Sequence, residues 1–106
     1  MIPTTQPHNT NYLMRESQIE GAACTYAKSK GWLAYKFTSP GRSGVPDRIM
    51  ISDTGQMLMI EFKTPTGKLS PLQINEHRLL RLHGVSVYTV CSVEQAKQII
   101  DNYETP

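Results

Sequence analysis

The sequence predicts a single α/β domain with the element order α-β-β-β-α-β-α. Three observations predict it. Helical-period stripes of apolar residues alternate with short apolar runs. Gly, Pro and Ser punctuation divides the two kinds of segment. The length of 106 residues fits one core and no second domain.

Residues 1 to 14 (MIPTTQPHNTNYLM) are polar and carry two prolines, which is the composition of a flexible N-terminal arm; residues 15 to 106 form the folded domain. Ile19, Ala22, Ala23, Tyr26 and Ala27 recur at helical spacing and predict a first helix from about Glu16 to Lys30, ended by Gly31. WLAYKF (32 to 37) reads as a strand opened by a core Trp32. TSPGRSGVP is a loop, with two glycines and two prolines in nine residues. The next two strands lie in GVPDRIMISDTGQMLMIEFK, with Met57 and Met59 expected in the core. Ser70 is a helix N-cap with Pro71 at the first helical position, and that helix runs to His83 before Gly84. VSVYTV is a fourth strand. Ser92 caps a last helix, with Gln95 placed for a capping box.

Composition excludes several classes. A hydrophobic content of 39% supports a core, but no run of about 18 apolar residues could span a membrane. No basic segment followed by an apolar one marks a secretory signal. Cys24 and Cys91 lack metal-ligand spacing and read as reduced, buried thiols of a cytoplasmic protein. His77 and His83 are six apart, which is not the spacing of a helical metal pair. The net charge of +2 is unevenly spread: residues 1 to 81 hold ten bases and six acids, residues 82 to 106 one base and three acids. A basic stretch beside an acidic pair suits an enzyme that docks a polyanion and holds a cation, although on charge alone a solvated face is the favoured reading.

The acidic pair comes from the hairpin. A three-residue loop Asp53-Thr54-Gly55 with Gly55 left-handed pairs Ser52 with Gln56. Counting outward then sets Asp47 opposite Glu61, with Glu61 and Lys63 on one sheet face. Opposed like charges repel, and a hard divalent cation offsets that repulsion through oxygen ligands. A two-residue Thr54-Gly55 loop would put the acids on opposite faces instead.

G-V-P-D, thirteen intervening residues and then E-F-K match the PD-(D/E)xK nuclease pattern. Together with L-S-P-L-Q and a helical glutamate before them, these motifs closely resemble the VRR-NUC family of virus-type replication-repair nucleases, in a stand-alone phage or bacterial form. The resemblance covers residues 16 to about 93 and implies a restriction-endonuclease-like core, a mixed central sheet flanked by helices. It implies a Mg²⁺-dependent DNA endonuclease, with Mn²⁺ as a substitute ion. By position, Asp47, Glu61 and the Phe62 carbonyl would bind metal. Glu20 would bind a second ion or its water, with Glu16 one turn earlier as the rival. Lys63 would orient the attacking water, and Gln73 would steady the site. Lys36, Arg42 and Arg48 are candidate DNA-backbone contacts. Stand-alone members resemble Holliday-junction resolvases, so the expected partners are branched, four-way DNA and a second copy of the chain. The alternatives are a flap-type nuclease and a nuclease-like module that binds DNA or a replication partner without cutting.

Overall fold

A computed structural model describes residues 14–103, and the expected arm lies outside them except for Met14, which packs against the core. The elements, in chain order, are α1 (Glu16–Ser29), β1 (Leu33–Lys36), β2 (Arg48–Ile51), β3 (Met57–Phe62), α2 (Pro71–Leu82), β4 (Val87–Val90) and α3 (Val93–Tyr103). The order matches the sequence expectation, with each end within one or two residues. The four strands lie in the order β1-β2-β3-β4. The first two pairings are antiparallel, and α2 carries the chain across to a parallel β4, so the sheet is mixed.

Alternation along the strands divides the side chains between two layers. One face carries Met50, Leu58, Ile60, Phe62 and Val90, which pack with Ile19, Ala23 and Ala27 of α1 and Ala96 and Ile100 of α3. Trp32 closes this core and packs against the ring of Tyr103, with centroids 6.0 Å apart. The other face carries Met59, Glu61 and Val87, on the side that meets α2. β3 is therefore buried on both faces from Leu58 to Phe62, as a central strand between two layers must be.

Met57 departs from the sequence reading. It is 56% exposed while Met59 is buried, so only one of the pair is core. Both point to the α2 face, but Met57 lies at the hairpin end, in a row with Leu33 and Ile51. Cys24 is buried as expected, whereas Cys91 is only partly so; both are free thiols. The cap of α3 differs by one residue. Ser92 accepts from the Gln95 amide, but the Gln95 side chain accepts from Cys91, not from Ser92 as a capping box would have it.

Candidate active site

The hairpin takes the expected register. Gly55 has φ +88°, the left-handed conformation of a three-residue loop, and Ser52 N–H donates to the Gln56 carbonyl at 2.8 Å. Ile51 pairs with Met57 and Arg48 with Ile60, so the next step outward sets Asp47 against Glu61. Asp47 leaves the ladder by substituting its side chain for backbone: its Oδ2 accepts from the Phe62 N–H at 3.0 Å. Its carbonyl accepts from Phe37 at 2.9 Å, which fixes it to β1 as well.

Glu61 is the most unusual carboxylate in the chain. It is 3% exposed. Loss of solvent, then the neighbouring Asp47 charge, push its pKa to about 8, and Lys63 only partly opposes them. The charged form of Glu61 is therefore disfavoured unless a cation offsets it.

The first turn of α2 is built to hold this carboxylate. Ser70 Oγ accepts from the Gln73 amide at 3.1 Å, and Gln73 Oε1 accepts from the Ser70 amide at 2.9 Å, a reciprocal capping box. With its oxygen committed, the Gln73 amide turns its nitrogen to Glu61, and Nε2 donates to Oε2 at 3.0 Å. The loop before Asp47 is docked on the same turn. A Cβ on Gly44 would lie 2.6 Å from the Leu72 carbonyl oxygen, and Gly44 has φ +89°, so only glycine allows this approach. Arg42 then closes a two-pronged ion pair on Glu76, at 2.7 Å and 3.0 Å. The G-x-P-D and L-S-x-x-Q motifs are two halves of one contact.

The structure brings Asp47, Glu61, Lys63 and Gln73 together, and Phe62 supplies the peptide between Glu61 and Lys63. It does not bring Glu20 to them. Arg48 follows Asp47 and so points to the opposite sheet face, where its Nε donates to Glu20 at 2.6 Å. Lys36, paired with Arg48 across β1 and β2, donates to the same oxygen at 3.1 Å. Two bases opposed on one face repel, and Glu20 compensates them. Burial alone would raise the Glu20 pKa, but the bonds from Arg48 and Lys36 outweigh it and hold the carboxyl below its usual range. Glu16, by contrast, contributes a negative charge felt at Glu61. Among the described residues, no three His, Cys, Asp or Glu side chains converge as a metal site.

The candidate DNA contacts Lys36, Arg42 and Arg48 are thus all ion-paired. Lys36 and Arg42 keep more than half of their side-chain surface exposed, whereas Arg48 is largely enclosed.

Sequence reasoning weighed His77 only as a metal partner of His83 and gave it no place in the site. It is wholly buried, with Nε2 3.7 Å from Glu61 Oε1. Burial, followed by the charge of Arg81, lowers its pKa and so disfavours the imidazolium form. The signal was its spacing from Gln73: four residues on, it faces the same side of the helix.

Comparison with known proteins gives the family of the chain. Residues 9–95 match the family model described as the VRR-NUC domain. Over 80 residues the chain is 40% identical to a protein of Acyrthosiphon pisum secondary endosymbiont phage 1 named "Putative nuclease p44", covering 76% of this chain and 86% of that one. A solved structure described as a VRR_NUC domain superposes with a TM-score of 0.76 at 31% identity, over 83% of this chain and 96% of the other. The fold and these matches define a nuclease domain. The chain belongs to the VRR-NUC family.

Proposed function

We propose that this protein is a metal-dependent endonuclease that hydrolyses phosphodiester bonds in branched DNA, acting on four-way junctions as a homodimer. The observation that carries the reading is the Asp47–Glu61 pair: two adjacent carboxylates, one of them buried, whose charge Lys63 and Gln73 only partly offset. The pair fits a hard divalent cation, Mg²⁺ or Mn²⁺, which prefers oxygen donors. Asp47, Glu61 and the Phe62 carbonyl would hold it, and of the two helical acids Glu16, whose charge is felt at Glu61, would be the one to touch it through water. When bound, the ion supplies Lewis acidity at the phosphate and makes a water more acidic.

The chain's own residues do the rest. Gln73 fixes the orientation of Glu61 through its 3.0 Å bond. Phe62 N–H fixes Asp47 in the same way. Lys63 shares the Glu61 face, where its ammonium orients the attacking water and offsets charge gathering on the phosphate. The water oxygen bonds to phosphorus, the bond to the sugar oxygen breaks, and the water's proton passes to solvent as the leaving oxygen gains one. Lys36 and Arg42, with exposed side chains, contact flanking phosphates by exchanging their acidic partners for DNA, while Arg48 stays enclosed beside Lys36 on Glu20.

Two coordinated cuts in a four-way junction need two sites related by a two-fold axis. The sheet face bearing Leu33, Tyr35 and Met57, all more than half exposed, supports association with a second copy. No helix among the described residues is long and apolar enough to cross a membrane, and action in the cytoplasm of a bacterial host fits this reading. A panel of junction, flap and linear DNAs with Mg²⁺ or with EDTA tests the substrate. Paired cuts in the junction are expected. Cutting confined to flaps would replace the junction reading, and binding without cutting would refute the enzyme.

A further inference from the structure

Three buried side-chain polar atoms among the described residues have no hydrogen-bonding partner: Glu61 Oε1, His77 Nδ1 and His77 Nε2. Two of the three face each other at 3.7 Å, which is too long for a hydrogen bond and closer than unrelated groups need to be. Buried polar atoms are nearly always satisfied, so an unsatisfied donor beside an unsatisfied acceptor calls for an explanation.

We propose that His77 is a positioning residue for Glu61, closing an Nε2–H···Oε1 hydrogen bond when a cation is held beside the carboxylate. The proposal rests on the metal-dependent reading above. A carboxylate has about four lone-pair positions. Gln73 occupies one on Oε2, and a cation would occupy another on the Asp47 side. Oε1 then needs a donor from α2, and His77 is the side chain that faces it. A neutral imidazole has one N–H, and an acceptor at Oε1 selects the tautomer that places it on Nε2. Gln73 and His77, one turn apart, thus grip the two oxygens of Glu61 from a single helix. That helix is itself pinned by Gly44 against its first turn and by Arg42 on Glu76. The competing explanation is that His77 merely fills the layer between α2 and the sheet. An apolar side chain of similar size would then serve as well, without two buried nitrogens to satisfy.

Calorimetric Mn²⁺ titration of the full chain, with melting in EDTA, separates the two. His77→Phe keeps volume and removes the donor, His77→Leu is a second donorless variant, and His77→Gln returns a donor near Nε2. If His77 positions Glu61, the donorless variants lose about 10- to 100-fold in Mn²⁺ affinity. They melt in EDTA no lower than wild type, and His77→Gln regains most of the affinity. Donorless variants that bind Mn²⁺ like wild type would overturn the proposal. So would affinity lost equally in all three variants in step with lowered melting, which is the mark of packing alone. A wild type that takes up no Mn²⁺ would overturn both this proposal and the metal-dependent reading, whereas equal binding overturns this one alone.

Discussion

The side-chain oxygen Oδ2 of Asp47 accepts a hydrogen bond from the backbone N–H of Phe62 at 3.0 Å, so one candidate ligand is held by the peptide that follows the other. This bond decides how substitutions at Asp47 behave. An asparagine oxygen can accept the same N–H, so Asp47→Asn removes a charge without removing the bond.

Metal-free Asp47→Asn should therefore be more stable than wild type, by about 0.5 to 2 kcal/mol, because it removes a charge that disfavours the Glu61 carboxylate at a site kept for activity. Wild type should gain stability as Mn²⁺ is added and the variant much less, since an ion that binds only the native state stabilises it. Thermal melts in EDTA and across a Mn²⁺ titration check both. A variant that melts lower than wild type in EDTA would refute repulsion across the hairpin.

The Glu61 carboxyl gives the metal-free protein a definite pH dependence. Its pKa rises from 4.5 to about 8 on folding, so between those values the native state binds a proton that the unfolded chain does not. The stability linked to that proton is fully present below about pH 4.5 and is lost as pH rises through 8. Melting temperature in EDTA should fall across this window, and Glu61→Gln should flatten the fall. Apparent Mn²⁺ affinity should move the opposite way, tightening with pH as the proton becomes easier to displace. A flat EDTA melting profile for wild type would show that the carboxyl is ionised without metal.

Lys63→Ala should abolish cleavage yet leave Mn²⁺ binding largely intact, because an ammonium has no lone pair to give a metal. Asp47→Ala should lose both. Equal Mn²⁺ affinity in the two variants, measured by calorimetry, would reverse the assignment.

Gly44→Ala should be destabilising by about 2 to 4 kcal/mol, combining a left-handed backbone with a Cβ forced against the Leu72 carbonyl. The damage falls on the turn that carries Gln73, so any folded fraction should also lose activity. Denaturant melts and cleavage rates on the same preparation check this, and a variant as stable as wild type would mean the loop does not dock there.

What could be read from the sequence was local. Gly55 determined the turn, the turn determined the register, and the register placed Asp47 against Glu61. Ser70 and Pro71 marked the start of α2, and Gln73 followed as its capping residue. What escaped needed a second element. Lys36 and Arg48 are twelve residues apart, and only the β1–β2 pairing shows that they meet over Glu20. Met57 has the same chemistry as Met59, and its exposure depends on where along the strand it lies. His77 was discarded as half of a metal pair with His83, although its spacing from Gln73 was the informative one. Arg42 looked like a free base until Glu76 of α2 was brought to it.

Cleavage of a synthetic four-way junction by wild type and Asp47→Asn, each in Mg²⁺ and in EDTA, tests the central claim most directly. The account predicts paired, symmetric cuts by wild type in Mg²⁺ and none in the other three reactions, with the variant folded throughout. Cutting that persists in EDTA, or in Asp47→Asn with Mg²⁺, would contradict a metal site built on Asp47 and Glu61.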